Sequence, residues 1–220
     1  VFNMAEGRQG RAREAQVPGV LEAYNIAYTF SDAFSLTICL DKALTKQLLR
    51  AANIPTPNYL VLPMGKPIDA VVTSRLGWPI FLKPVAEGTS KGIDDKAIVH
   101  TQAALSERVT WLWETYQQPV LAESYLPGRE FTVGLLGTGD DAYVLGIAEI
   151  TLSEQSKVYG FVEKEECETL VSYSALQNDQ LVDEISQIAL DSYRLLECRD
   201  AGRVDICLDQ FGVPQVLEIN

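Results

Sequence analysis

Four residues near the end of the chain have the types and spacing to hold a metal ion beside a fixed cation. In Gly202-Arg203-Val204-Asp205-Ile206-Cys207-Leu208, a strand's period of two puts Arg203 and Asp205 on one face. Val204, Ile206 and Leu208 go to the other. In the segment that follows, Glu218 and Asn220 share a face opposite Leu217 and Ile219. A four-residue loop, Asp209-Gln210-Phe211-Gly212, pairs Leu208 with Val213 and sets Arg203 opposite Glu218. That register gathers Arg203, Asp205, Glu218 and Asn220 on one surface. Two carboxylates and an amide oxygen suit Mg²⁺, a hard cation that takes oxygen ligands and shares them with phosphates. Arg203 adds a permanent positive charge where negative charge builds up in phosphoryl transfer. The same pattern also serves a solvent-facing hairpin with an Arg–Glu cross-strand pair.

Three further segments carry chemistry of the same kind. Ile80-Phe81-Leu82-Lys83-Pro84 reads as a buried strand delivering Lys83, and Glu87-Gly88-Thr89-Ser90-Lys91-Gly92 follows it. Gly88 and Gly92 allow close approach of backbone to phosphate, and Thr89 and Ser90 offer donors. The loop lacks the Gly-x-x-x-x-Gly-Lys-Ser/Thr spacing of a P-loop, and a flexible hairpin tip has a similar composition. Next, Leu121-Ala122-Glu123-Ser124-Tyr125-Leu126 ends in a Pro127-Gly128 turn, and a new strand starts at Arg129-Glu130. A flat base fits such a hinge, with Glu130 on a ribose hydroxyl; a plain interdomain turn is the alternative. Lastly, Lys42 opens a helix behind Asp41, where its charge opposes the helix dipole. An anionic ligand there would offset that cost.

These residues need elements to position them. Helical patterns run from Arg13 to Tyr24, with Pro18 in a first turn, and from Lys42 to Ala52, capped by Asp41 with Leu44, Leu48 and Leu49 on one stripe. Ile26–Thr29 reads as a short strand, and Pro55-Thr56-Pro57 as a linker. A first α/β lobe has strands at Tyr59–Leu62, Ile80–Pro84, Ala97–His100 and Val120–Glu123, with helices at Asp69–Leu76 and Ala103–Tyr116. From Gly128 the strands lengthen: Glu130–Leu136, Tyr143–Ile150 and Val158–Val162. A helix from Gln180 to Leu196 precedes the closing strands Gly202–Leu208 and Val213–Asn220. The class is α+β with a mostly antiparallel sheet in each lobe. Expected divisions are 1–40, the remnant of an N-terminal α/β domain; 41–127, a small lobe; and 128–220, a larger lobe carrying the metal site. Both ends read as truncated strands.

Composition narrows the function. The 220 residues are 47% hydrophobic and 22% charged, as in ordinary globular chains. A formal net charge of −12 argues against nucleic acid as a partner. No apolar run reaches the roughly 20 residues needed to span a bilayer, so no membrane partner is expected. Cys39, Cys167, Cys198 and Cys207 are widely spaced, which fits reduced thiols in the cytoplasm. His100 is the single histidine, so a Ser-His-Asp hydrolase is not expected.

Taken in order, these features resemble the ATP-grasp superfamily and, more closely, the D-alanine–D-alanine ligase family. The resemblance rests on Tyr28-Thr29-Phe30-Ser31-Asp32, Leu40-Asp41-Lys42-Ala43-Leu44-Thr45-Lys46 and Pro55-Thr56-Pro57. Lys83-Pro84, Glu87-Gly88-Thr89-Ser90, Gly128-Arg129-Glu130-Phe131-Thr132 and Arg203-Val204-Asp205 complete it. It implies an ATP-grasp fold, two lobes sandwiching a nucleotide, and peptide-bond formation through an acyl-phosphate. By the same resemblance Lys42, Lys83 and Lys164 contact phosphates, and the loop bearing Glu87, Thr89 and Ser90 closes over them. Glu123, Tyr125 and Leu126 hold adenine, and Glu130 the ribose. Asp205, Glu218 and Asn220 bind Mg²⁺, with Mn²⁺ as a substitute, and Arg203 steadies the reacting acyl-phosphate. Small amino-acid or peptide substrates and a homodimer are implied too. Two departures stand out. Tyr159-Gly160-Phe161-Val162-Glu163-Lys164-Glu165 replaces a Tyr-x-Tyr-x-x-Lys-Tyr lid, and Gly10-Arg11-Ala12-Arg13-Glu14 replaces Gly-Glu-Asp-Gly. Arg13 or, with a one-residue shift, Glu14 then faces the first substrate. Ligases joining other amino acids or peptides, and a non-catalytic ATP-binding module, are the competing expectations.

Overall fold

The computed structural model describes residues 1–68, 71–152, 171–176 and 180–220. The expected strand Val158–Val162 and Lys164 lie outside those residues. Helices α1 (Gln16–Ala23), α2 (Ala33–Leu40) and α3 (Lys42–Ala51) come first. The first sheet holds β1 (Tyr59–Leu62), β2 (Ile80–Pro84), β3 (Ile98–Val99) and β4 (Val120–Ser124), with α4 (Val71–Leu76) and α5 (Gln102–Tyr116) between them. The second holds β5 (Glu130–Leu136), β6 (Tyr143–Leu152), β7 (Val171–Ala175), β8 (Ala201–Leu208) and β9 (Pro214–Ile219), with α6 (Val182–Leu195) inserted before β8. Their orders are β1-β4-β2-β3 and β7-β6-β5-β8-β9, and every described pairing is antiparallel.

Alternation along the strands explains why the two sheets face one another. In β2 and β4, Ile80, Leu82, Val120 and Ala122 join the core beneath α4 and α5. Phe81, Lys83, Leu121 and Glu123 are therefore turned to the opposite face. In the second sheet Phe131, Val133, Val204, Ile206 and Val216 pack on Ile185, Ala189 and Tyr193 of α6. Arg203, Asp205 and Thr132 fall on its other face. Each sheet thus buries one apolar side under helices and offers a polar side to a common cleft. Burial of each large apolar side chain contributes roughly 1.5–3 kcal/mol, so the cores fix these orientations. Helix α3 joins the two bodies: Leu49 sits in the core of the second sheet, while Ala43 packs on Leu121 and Val85 of the first.

Several expectations need correction. Ile26–Thr29 forms no strand; instead Thr29 N donates to Val1 O at 2.9 Å and the Val1 amine donates to Ala27 O, without a described sheet to extend. The helix expected from Arg13 begins as a 3₁₀ turn, Arg13–Ala15, before α1. Helix α2 and strand β7 have no counterpart in the sequence pattern. The α2 residues Phe34-Ser35-Leu36-Thr37-Ile38-Cys39-Leu40 lack a helical stripe, and the informative signal was the cap: Asp32 accepts from Ser35 N at 2.9 Å.

The closing hairpin differs most. Its loop is five residues long: Leu208 pairs with Pro214, and Asp209 N donates to Val213 O at 3.0 Å. An odd loop alone would place Leu217 opposite Asp205 and turn Glu218 away. A bulge between Ile206 and Asp205 takes up Leu217, so Glu218 pairs with Asp205. Arg203 lies opposite Asn220 rather than Glu218, through reciprocal backbone hydrogen bonds of 2.7 and 2.8 Å.

Candidate active site

The face of the first sheet centres on Glu123. Its Oε2 lies 2.7 Å from Lys83 Nζ and its Oε1 2.7 Å from Lys46 Nζ. All three groups are buried. Burial alone would raise the Glu123 pKa, but the two ammonium groups outweigh it and hold the carboxyl below its usual range. For Lys83, burial pulls down, yet Glu123, then Glu218 and Glu130, push its pKa above the ordinary value. For Lys46 burial wins and lowers the ammonium to about 8, against the opposing pull of Glu123. Lys46 belongs to the Leu40–Lys46 motif, but its type and spacing point to no role there. The bulk pattern offers no sign that a lysine on an amphipathic helix points inward.

Lys42 enters from the start of α3. Asp41 caps that helix by accepting from Leu44 N at 3.0 Å and is paired with Arg11. The Lys42 ammonium donates to Glu87 O at 2.5 Å and lies 3.4 Å from Glu218 Oε2. An acidic partner therefore offsets the unfavourable dipole, and the same ammonium joins the glycine-rich loop to the closing hairpin. In that loop Gly92 has φ +78°, and a Cβ there would meet Pro84 Cδ at 2.8 Å. Only glycine fits this turn without displacing β2.

On the second sheet Asp205 is the hub. Thr132 Oγ1 donates to its Oδ1 at 2.8 Å, Arg203 Nη2 lies 3.1 Å from Oδ2, and Asn220 Nδ2 donates to Oδ2 at 3.3 Å. Glu218 is its cross-strand partner. Among the described residues no three carboxylate, histidine or cysteine groups converge on one point. The donor set still fits Mg²⁺, which takes one or two carboxylates from protein and completes its octahedron with water and phosphate oxygens. Asp205 and Glu218 would supply the carboxylates and Asn220 an amide oxygen.

Two cavities meet at this hairpin. One, about 570 Å³, is lined from the first sheet, the glycine-rich loop and the hinge by Lys83, Ser90, Glu123, Tyr125 and Leu126, and from the second sheet by Glu130, Asp205 and Glu218. The other, about 560 Å³, is lined by Glu14, Lys42, Glu87, Thr89, Arg203 and Asn220, and again by Glu218. Of the described residues, only Glu218 lines both. Every candidate from the sequence except Arg13 and the undescribed Lys164 thus lines one of two chambers sharing a carboxylate wall.

The structure also settles which N-terminal residue faces the second chamber. Glu14 lines it, and burial raises its carboxyl pKa despite the opposing charge of Arg13. Arg13 is buried behind, donating to Ala86 O at 2.7 Å, with Nη2 3.6 Å from both Glu14 and Glu87. At the hinge, Gly128 N donates to Leu208 O at 3.0 Å, and a Cβ on Gly128 would lie 2.5 Å from that oxygen. The turn that bounds the first chamber therefore requires glycine.

Residues 48–220 match the family model described as D-ala D-ala ligase C-terminus. The chain belongs to that family. Across its whole length it is 34% identical to y4sG of Sinorhizobium fredii and 34% identical to a D-alanine–D-alanine ligase of Polaromonas naphthalenivorans. It spans 64% and 66% of the length of those two relatives. A D-alanine–D-alanine ligase of Bacillus anthracis, solved with ATP, superposes with a TM-score of 0.78 at 24% identity. That superposition covers 97% of this chain and 65% of the other. The likeness establishes the ATP-grasp fold, two lobes with mainly antiparallel sheets. Among the described residues no helix is long and apolar enough to cross a membrane.

Proposed function

We propose that the chain is the nucleotide- and metal-binding part of an ATP-dependent ligase joining a carboxylate to an amine, with D-alanine–D-alanine ligation as the leading reaction. The observation that carries this reading is Glu218, shared by a chamber suited to ATP and a second chamber of similar size. Adenine lies against Tyr125 and Leu126, at the strand end that includes Glu123, and the ribose hydroxyl bonds Glu130. The triphosphate runs toward the hairpin between Lys83 and Lys42, beneath the loop of Glu87, Thr89 and Ser90, and Lys164 adds a further contact. Magnesium, or manganese in its place, held by Asp205, Glu218 and Asn220, supplies charge neutralisation of the phosphates. The division into lobes at residues 127 and 128, cytoplasmic location and homodimer formation belong to the same reading.

The chemistry follows from the fixed charges. A substrate carboxylate in the second chamber attacks the γ-phosphorus, the bond to ADP breaks, and an acyl-phosphate forms. The second substrate's neutral amine attacks the acyl carbon, phosphate leaves, and the nitrogen sheds a proton. Arg203 faces the charge that develops on the acyl oxygen and the departing phosphate, which preorganised cations stabilise without reorganisation. Glu14 receives a substrate ammonium. No protein nucleophile is required.

A second reading, ligation of other amino acids or peptides, draws on Arg13. Its guanidinium, 3.6 Å from Glu14, competes with a substrate ammonium for that carboxylate. A panel of amino acids with ATP and Mg²⁺ on the full-length protein, read by phosphate release and product mass, tests both. Dipeptide from D-alanine alone supports the leading reaction, and product from other amines supports the second. ATP binding without turnover on any substrate leaves only a binding module and overturns the ligase reading.

A further inference from the structure

Lys46 is a charge without a role in the chemistry above. Its side chain is fully buried and lines none of the described cavities. Taking an ammonium out of water costs several kcal/mol, a cost that an apolar side chain of the same volume would avoid. The contacts of its Nζ show what the charge does there. It lies 2.7 Å from Glu123 Oε1 and donates to Thr56 Oγ1 at 2.9 Å and Val216 O at 3.3 Å. The other oxygen of Glu123 holds Lys83, which lines the chamber between the sheets.

The result is a chain of three charges running from α3 through β4 to β2. Among the described residues, the other charges that bear on it include Glu218 on β9 and Glu130 on β5, with Lys42 one turn away on α3 beside Glu218. With both oxygens of Glu123 occupied, the carboxylate is fixed between two cations and the group as a whole keeps one positive charge. If Lys46 were neutral, Glu123 would cancel Lys83 within a closed pair. The cleft would then lose the surplus cation on its triphosphate side.

We propose that Lys46 is a positioning residue for the nucleotide: acting through Glu123, it holds Lys83 in place and leaves its charge available to the triphosphate. The inference rests on the ATP reading above. The test is calorimetric binding of Mg·ATP and of adenosine to the 220-residue chain and to Lys46→Met, with near-ultraviolet circular dichroism confirming the fold. Removing one charge at several ångströms in an effective dielectric near 20 weakens Mg·ATP by roughly tenfold. Adenosine, which has no phosphates, keeps its affinity. A purely structural lysine would weaken both ligands alike, and that outcome overturns the proposal. Should Lys46→Met fail to fold, Lys46→Gln retains polar contact with Thr56 and Val216 and serves the same comparison. Glu123→Gln combined with Lys46→Met supplies the second arm. Because Lys46 acts through Glu123, the double variant binds Mg·ATP no worse than Glu123→Gln alone. An additive further loss contradicts the relay. Wild-type chain that binds neither ligand refutes the ATP reading itself, and with it this role. Wild-type binding with Lys46→Met unaffected refutes only the role.

Discussion

Replacing Glu123 by glutamine removes the carboxylate that lies 2.7 Å from both Lys46 and Lys83. The side chain keeps its volume, so packing against the first sheet is little changed and the effect is electrostatic. Breaking a buried pair by removing one partner costs about 3–5 kcal/mol, because the surviving charge stays buried without compensation. Here two ammonium groups survive. Lys46, already drawn to about 8 by burial, releases its proton first and relieves part of the strain, which points to the lower end, about 3 kcal/mol. For a chain of this length each kcal/mol shifts the melting temperature by about 2–4 °C, so Glu123→Gln melts roughly 6–12 °C lower near neutral pH. The pH dependence has a definite sign. The Glu123 pKa is depressed in the folded state, so its stabilisation is present above the unfolded value of 4.5 and is lost as pH falls through the lower folded value. The gap between wild type and variant therefore closes in acid. Lys46 adds a second trend: with a folded pKa of about 8 against 10.5 unfolded, it makes stability rise with pH between those values. Thermal melts of both proteins from acid to pH 9 provide the assay. Equal melting temperatures at neutral pH, or a gap that widens in acid, would refute the reasoning.

Two further expectations follow from the hairpin. Deleting Leu217 removes the bulge but leaves Glu218 directly after Val216 and opposite Asp205, so the variant keeps the gain in ATP affinity that Mg²⁺ confers; calorimetry with and without Mg²⁺ checks this, and loss of the gain would contradict the register. Burial pushes the Cys207 thiol up to about 12, so native protein treated with iodoacetamide at pH 8 leaves Cys207 unmodified, while unfolded protein is alkylated there; peptide mass mapping distinguishes the two.

Much of this arrangement is legible in the amino-acid sequence. Strands β1, β2 and β5 fall on the expected residues, and in β5 the burial alternates along the strand, with Phe131, Val133 and Leu135 in the core. The four hairpin residues were placed on one face correctly, although for an incomplete reason: two one-residue departures, in the loop and at Leu217, restore the parity. A bulge leaves no mark in the hydrophobic pattern, so the pairing of Asp205 with Glu218 could not be read from it. Helix α2 was hidden because its residues are apolar all round. Lys46 was hidden for the converse reason: a lysine in an amphipathic helix reads as solvent-facing, and only the approach of β4 shows that its charge is buried. The choice between Arg13 and Glu14 needed the 3₁₀ turn that starts at Arg13, which shifts the expected helical phase.

The central claim is that the closing hairpin binds a metal–triphosphate, and the most direct measurement is the Mg²⁺ dependence of ATP affinity in wild type and Asp205→Asn. Mg²⁺ should tighten ATP at least about tenfold in wild type, a difference of about 1.4 kcal/mol, and change it little in the variant. An equal gain in both proteins would mean that the metal sits elsewhere and would contradict the hairpin's role.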